Sequence, residues 1–187
     1  PMTAAAGTGA PLSAGSSAAT PLALVFGASG YVGTNLVPAL VARGGRVRAA
    51  ARNVKVLEAR AWRGVELVQA DALKPESLVP ALTGVDTAYY LVHSMAAGRD
   101  FGKLDVEAAE HFARAAAACG VRRIVYLGGL VPAAAESEHL VSRKETGDTL
   151  RAGPVPVTEL RAGIIVGAGS AAYEVIRDLV YHLPVMV

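Results

Sequence analysis

The sequence predicts a doubly wound parallel α/β sheet, a three-layer α/β/α arrangement with helices on both faces. Three observations predict it. Short β-branched apolar runs alternate with longer segments of helical spacing from Leu22 onward. The first run ends directly in a glycine-rich turn that opens a helical pattern, LVFGASGYVGTNL over 24–36. The chain has 187 residues, 52% hydrophobic and only 18% charged, about one domain's length with enough apolar material for a sizeable core.

Taken in order, residues 1–20 are almost entirely Ala, Gly, Ser, Thr and Pro. With neither a charged n-region nor a continuous apolar h-region, they read as a disordered leader ahead of a domain at 21–187. Strands are expected at LALVFG (22–27), RVRAAA (46–51), VELVQA (65–70), TAYYLV (87–92), RIVYLG (123–128) and VTELRA (157–162), with five helices between them. The first helix should turn Leu36, Leu40 and Val41 to the sheet, bend at Pro38 and end at Gly44 and Gly45. The fourth, from about Leu104, repeats Leu104, Ala108, Phe112, Ala115 and Cys119 at three-to-four spacing, which predicts one buried stripe. Cys119 is the only cysteine and reads as a small buried apolar residue. A sixth helix, Ala171–His182, carries Val175, Ile176, Leu179 and Val180 on one face, followed by LPVMV. That apolar ending is expected to lead into a C-terminal substrate-binding part.

The charge balance argues against several classes of partner. Eighteen Lys and Arg against sixteen Asp and Glu give +2 without a basic block, and aromatics are 5%, so no nucleic acid is expected. No stretch reaches the roughly 20 apolar residues of a membrane span, and the chain is expected to be cytoplasmic. No metal site is expected.

Each glycine of the turn has its own reason to lack Cβ. Gly27 ends a strand, Gly30 lies where the chain would pass closely by a phosphate, and Gly33 falls in the first helical turn, where a side chain would push helix from strand. The helix start at Tyr31 and Val32 offers unpaired N–H groups and positive dipole to a pyrophosphate, and Ser29 adds a hydroxyl. The expected ligand is a dinucleotide. An acidic residue some 20 positions further on holds the ribose of NAD, but here the second strand runs into Ala51 and Arg52. A guanidinium suits the 2′-phosphate of NADP, so NADP is expected, with NAD as the alternative. After the third strand, Asp71 can accept the adenine amino hydrogens and Ala72 can line the ring pocket; the alternative is that Asp71 only caps the helix near Pro75. His93 and Ser94 follow the fourth strand at the carboxyl edge, where ligands bind in open α/β sheets, and Leu91 and Val92 at the strand's end are cofactor-binding candidates beside them.

GASGYVG, the Asp71-Ala72 pair and VPVTELRAGIIVGAGS together resemble the atypical short-chain dehydrogenase/reductases, and among them the NmrA-like, YbjT-type NAD(P)H-binding proteins with a Rossmann fold. YYLVHSM and HLVSRKETGDTLR strengthen the resemblance, which runs from about Leu22 to the end. Catalytic members of that superfamily use a Ser after the fifth strand, a Tyr and a Lys spaced YxxxK, and an Asn in the fourth helix. The resemblance puts Gly129 at the Ser position, His139 at the Tyr position, Arg143 at the Lys position and Asp105 at the Asn position. All four roles are altered. Arg143 can bind ribose or phosphate oxygens but stays charged. His139 is the candidate proton donor, with Asp105 as its orienting partner; alternatively it only begins a helix. The implied function is an NADPH-dependent oxidoreductase acting on a small molecule with altered catalytic residues. The competing class is a non-catalytic dinucleotide-binding redox sensor or regulator, and the glycine turn disfavours a purely structural module.

Overall fold

Every strand pairing among the described residues runs parallel, so successive strands must be joined by crossovers, and a helix supplies each one. The computed structural model describes residues 20–93, 101–131 and 137–182. The elements are β1 (Leu22–Phe26), α1 (Tyr31–Ala42), β2 (Arg46–Ala51), α2 (Val54–Glu58), β3 (Val65–Gln69), α3 (Pro75–Leu82), β4 (Thr87–Tyr90), α4 (Phe101–Ala118), β5 (Arg123–Gly129), α5 (Glu138–Ala152), β6 (Val157–Ala162) and α6 (Ala171–His182). The sheet order is β3-β2-β1-β4-β5-β6. The chain starts in the middle, winds out to β3, returns past β1 to β4 and winds out the other way. This leaves a topological switch point between β1 and β4, the place where open α/β sheets bind ligands at the strands' carboxyl ends.

The two faces of the sheet carry separate cores. On one, Val25, Val37, Val47, Ala49 and Leu57 pack together, with Leu36, Leu40 and Val41 of α1 against them as expected. On the other, Leu24, Phe26, Leu78, Leu82, Tyr90, Phe112, Ile124 and Tyr126 form the larger cluster. Its aromatic centre holds Phe26, Tyr90 and Phe112 with ring centroids 4.8–5.8 Å apart. α1 continues through Pro38.

The strands match their expected positions with small shifts at the ends. β1 stops at Phe26 and not at residue 27, because Gly27 turns to φ +93°. β4 stops at Tyr90, although the Leu91 N–H still donates to the Phe26 carbonyl at 3.0 Å. α4 begins at Phe101, about a turn before Leu104. Its buried stripe is Asp105, Ala108, Ala109, Phe112, Ala113 and Ala116, while Leu104, Ala115 and Cys119 flank it half-buried. The stripe is displaced because it includes a carboxylate, which hydropathy alone places outside. Asp105 goes in because Ser142 of α5 donates a hydrogen bond to its Oδ2 at 2.8 Å.

The expected leader, but for Thr20, lies outside the described residues, as do Ser94 and the LPVMV segment. Among the described residues no helix is long and apolar enough to cross a membrane. α6 forms as predicted, yet none of its residues is buried.

Candidate functional site

The three glycines after β1 behave differently. At Gly27 the backbone is left-handed, and a Cβ would stand 2.8 Å from Val92 Cγ1. At Gly33 a Cβ would lie 2.6 Å from Ala28 Cα and from the Gly27 carbonyl oxygen, which are backbone atoms that cannot yield. Both glycines are required by the protein's own packing. Gly30 is not. Its φ of −75° and ψ of 169° suit any residue, and a Cβ there would meet only the Gly27 oxygen at 3.4 Å. The space that this glycine keeps clear opens outward, at the N-cap of α1, where the first N–H groups lack partners within the helix.

That space is one end of a cavity of ≈ 510 Å³ over the carboxyl edge of the sheet. Gly27, Ser29 and Gly30 form its phosphate-turn wall, and Ala51 and Arg52 line it after β2. Asp71, Ala72 and Leu73 line it after β3; Leu91, Val92 and His93 after β4; and Asp105 and Ala108 from α4. The structure thus brings together most of the residues singled out in the sequence. Tyr31, Val32 and Gly33, also singled out in the sequence, are not among the lining residues, and a Cβ at Gly167 would collide with the Tyr31 hydroxyl. A second groove of ≈ 560 Å³ runs between α4 and α5, lined by Glu107, Glu110, Glu145 and Asp148 with Lys103. Its carboxylates would repel phosphate, and it lies away from the strand ends, so the switch-point cavity is the candidate site.

The loop after β3 is tightly built. The Leu73 N–H donates to Asp71 Oδ1 at 3.1 Å, and the Ser77 hydroxyl both accepts from the Asp71 N–H at 2.9 Å and donates within the same turn. The N-cap of α3 is Lys74, so Asp71 does not cap that helix but folds its own loop, leaving the loop beside the cavity. Arg52 is exposed beside Asn53, whose side chain caps α2 by accepting from the Lys55 N–H.

Of the four positions aligned by the resemblance only Asp105 lines this cavity; Gly129, His139 and Arg143 do not, and Arg143 reaches the cavity wall through His93. A Cβ on Gly129 would lie 3.1 Å from Arg143 Cδ, so the longer arginine and the missing side chain at 129 go together. An Arg143 N–H donates to His93 Nε2 at 3.1 Å, which puts that imidazole's remaining hydrogen on Nδ1. Desolvation, the Arg143 guanidinium and His139 hold His93 below the ordinary histidine range, against the pull of Asp105. His139 is exposed in the first turn of α5. Tyr126 donates its hydroxyl to the Arg143 carbonyl at 2.9 Å, and burial pushes its phenol up to about 12. Tyr90 is shifted upward by the same cause. Neither phenol is the low-pKa acid that a YxxxK pair makes.

Residues 20–164 match the NmrA-like family, which spans well over half of the chain. The chain belongs to the NmrA-like family. This NmrA-like chain is 33% identical to sterol demethylase protein B of Methylococcus capsulatus over 126 residues, covering 62% of this chain and 38% of that protein. Among solved structures it is similar to the triphenylmethane reductase of Citrobacter sp. complexed with NADP(H), at 26% identity and TM-score 0.64, covering 75% of this chain and 48% of the other. It is also similar to the NADPH-dependent quinone oxidoreductase of Escherichia coli complexed with NADPH, at 25% identity and TM-score 0.63 with the same coverage. The NmrA-like chain therefore spans about half the length of these structures. The fold expected from the resemblance, and the family itself, are as read from the sequence.

Some wall residues carried no sequence signal strong enough to find. Tyr90, Leu73 and Ala108 look like ordinary core or loop residues. Ser142 and His111 were also missed. Counting helical steps of three from Asp105 through Ala108 would have placed His111 on the cavity side of α4.

Proposed function

We propose that this chain is the dinucleotide-binding portion of a cytoplasmic NADPH-dependent oxidoreductase with an altered catalytic set. The observation that carries the reading is Gly30: nothing among the described residues needs a glycine there, so the clearance serves a ligand that approaches the backbone as closely as a pyrophosphate does. Ser29 and the α1 N-terminus at Tyr31, Val32 and Gly33 would hold the phosphates, Arg52 the 2′-phosphate, and Asp71 and Ala72 the adenine. Leu91, Val92 and His93 would line the way to the nicotinamide end. NADP over NAD rests on Arg52 standing where an acidic ribose clamp would be.

When bound, the reduced dinucleotide supplies a hydride. The chain's own residues do the rest. Arg143 holds ribose or phosphate oxygens, and His139 gives a proton to the substrate oxygen from its place on the first turn of α5. Asp105, tied to Ser142, keeps α5 against α4, and in this reading it would orient the His139 imidazole. The substrate side would be completed by a further part of the protein laid over β6 and α6, whose apolar residues stand exposed in this chain.

A second reading, the redox sensor, is favoured by Gly129, His139 and Arg143 standing where Ser, Tyr and Lys would be. NADPH absorbance followed with a panel of carbonyl and quinone substrates separates the two. Turnover that falls about 10²- to 10⁴-fold in His139→Ala with NADP(H) affinity intact supports the enzyme. Arg143→Ala should instead weaken the cofactor, and Arg52→Ala should weaken NADP(H) but spare NAD(H). Full activity in His139→Ala removes the donor assignment. No turnover with any substrate, together with different proteolytic protection by NADPH and NADP⁺, decides for the sensor.

A further inference from the structure

His111 lies on α4, outside every role given so far. Its Nδ1 is 3.0 Å from the carbonyl oxygen of Ala72. A carbonyl only accepts, so Nδ1 carries the hydrogen and donates it. Ala72 is 6% exposed and lines the cavity directly beside Asp71. The imidazole is itself mostly covered, and its Nε2 stands 4.0 Å from Glu107 Oε1 one turn back on the same helix.

Two turns of α4 thus touch both ends of the cavity. Asp105 accepts from Ser142, the residue before Arg143, and His111, about 9 Å further along the helix axis, holds the loop after β3. The loop's other hydrogen bonds run to its own backbone, to Ser77 and to Ala51, so among the described contacts the His111 bond ties it to α4.

We propose that His111 is a positioning residue that pins the adenine loop to α4 and so sets the purine end of the dinucleotide site against the Arg143 end. The inference rests on the dinucleotide reading above and assigns it a residue that touches no ligand. Without the donor, the Ala72 carbonyl is left buried and unpaired, and the loop must shift to reach water.

The test uses the 187-residue chain and three probes by titration calorimetry: NADPH, 2′,5′-ADP as the purine half, and reduced nicotinamide mononucleotide. His111→Leu should weaken NADPH and 2′,5′-ADP by about tenfold and leave the mononucleotide unchanged. His111→Asn should restore binding, because its Nδ2–H takes the place of Nδ1–H. His111→Gln, whose amide reaches the Nε2 position, should behave like His111→Leu. Amide exchange at Leu73 and Lys74 should speed up in the Leu and Gln variants. Equal 2′,5′-ADP affinity in wild type and His111→Leu overturns the inference alone, as does failure of His111→Asn to rescue. If the wild-type chain binds none of the three probes, the dinucleotide reading falls and the inference with it.

Discussion

The two ends of the sheet are finished to different degrees. From β1 out to β3 the protein closes itself: Arg48 of β2 pairs with Glu66 of β3 at 2.7 Å and donates to the carbonyls of Ala81 and Thr83 at the end of α3, binding two strands and a helix with one side chain. From β5 outward the sheet is left open on one side. Glu159 of β6 meets Arg151 and Arg161, but its neighbour Leu160 is 54% exposed, Ile164 77%, and Val175 on α6 59%. One arginine thus ties β2, β3 and the end of α3 together on this side. The other end leaves apolar residues of β6 and α6 exposed among the described residues.

Core substitutions should make that contrast measurable. Leu78 is fully buried, and Leu78→Ala should cost about 2–5 kcal/mol in denaturant unfolding. Ile176→Ala on α6 removes a similar side chain at an open face and should change stability by less than about 0.5 kcal/mol. A cost for Ile176→Ala as large as for Leu78→Ala would mean that α6 is already packed, and the comparison would collapse.

Within the finished end, the turn glycines divide sharply between fold and ligand. Gly30→Val should lower dinucleotide affinity by at least about 100-fold, or about 2.7 kcal/mol, while the circular dichroism spectrum and the unfolding midpoint stay near wild type. Gly33→Ala should do the opposite first, destabilising by about 1–3 kcal/mol because its Cβ meets backbone. Unchanged affinity in Gly30→Val would remove the phosphate assignment.

The asymmetry also explains what the sequence made legible. Alternating β-branched runs and glycine punctuation are local signals, so the strands and the turn were readable from one segment at a time, and their alternation with helices gave the doubly wound class, while the strand order came only with the pairings. The displaced stripe of α4 was not, because burying Asp105 depends on Ser142, 37 residues further along. The fit of Arg143 to Gly129, the bond from His111 to Ala72 and the open face of α6 are likewise set by contacts between distant segments. Hydropathy cannot see whether an apolar stripe has a partner. Val175, Ile176, Leu179 and Val180 form the amphipathic face that was predicted, and only the fold shows nothing covering it among the described residues.

The smallest expected effect lies where the two ends meet, at His93. Folding carries its imidazole from the ordinary value near 6.5 to a lower one, through desolvation, Arg143 and His139, with Asp105 opposing. Between the lowered value and 6.5 the unfolded chain binds more protons at this site than the folded one, so stability rises with pH there and falls on acidification. The carboxylates held low by their partners, Glu66 by Arg48 and Asp148 by Lys144 and Arg151, lose their contribution further down the scale. Thermal unfolding from pH 7 down to pH 5 should show a decline that is shallower in His93→Gln, and the difference between the two curves isolates this histidine from the others. Arg143→Gln should flatten the same difference in part, because it removes one of the causes. Parallel curves for wild type and His93→Gln would mean that folding does not lower His93, so that neither its burial nor Arg143 acts on it in solution. The His93 end of the cavity would then be as loosely held as α6, and the boundary between the finished and the open half would move inward to β4.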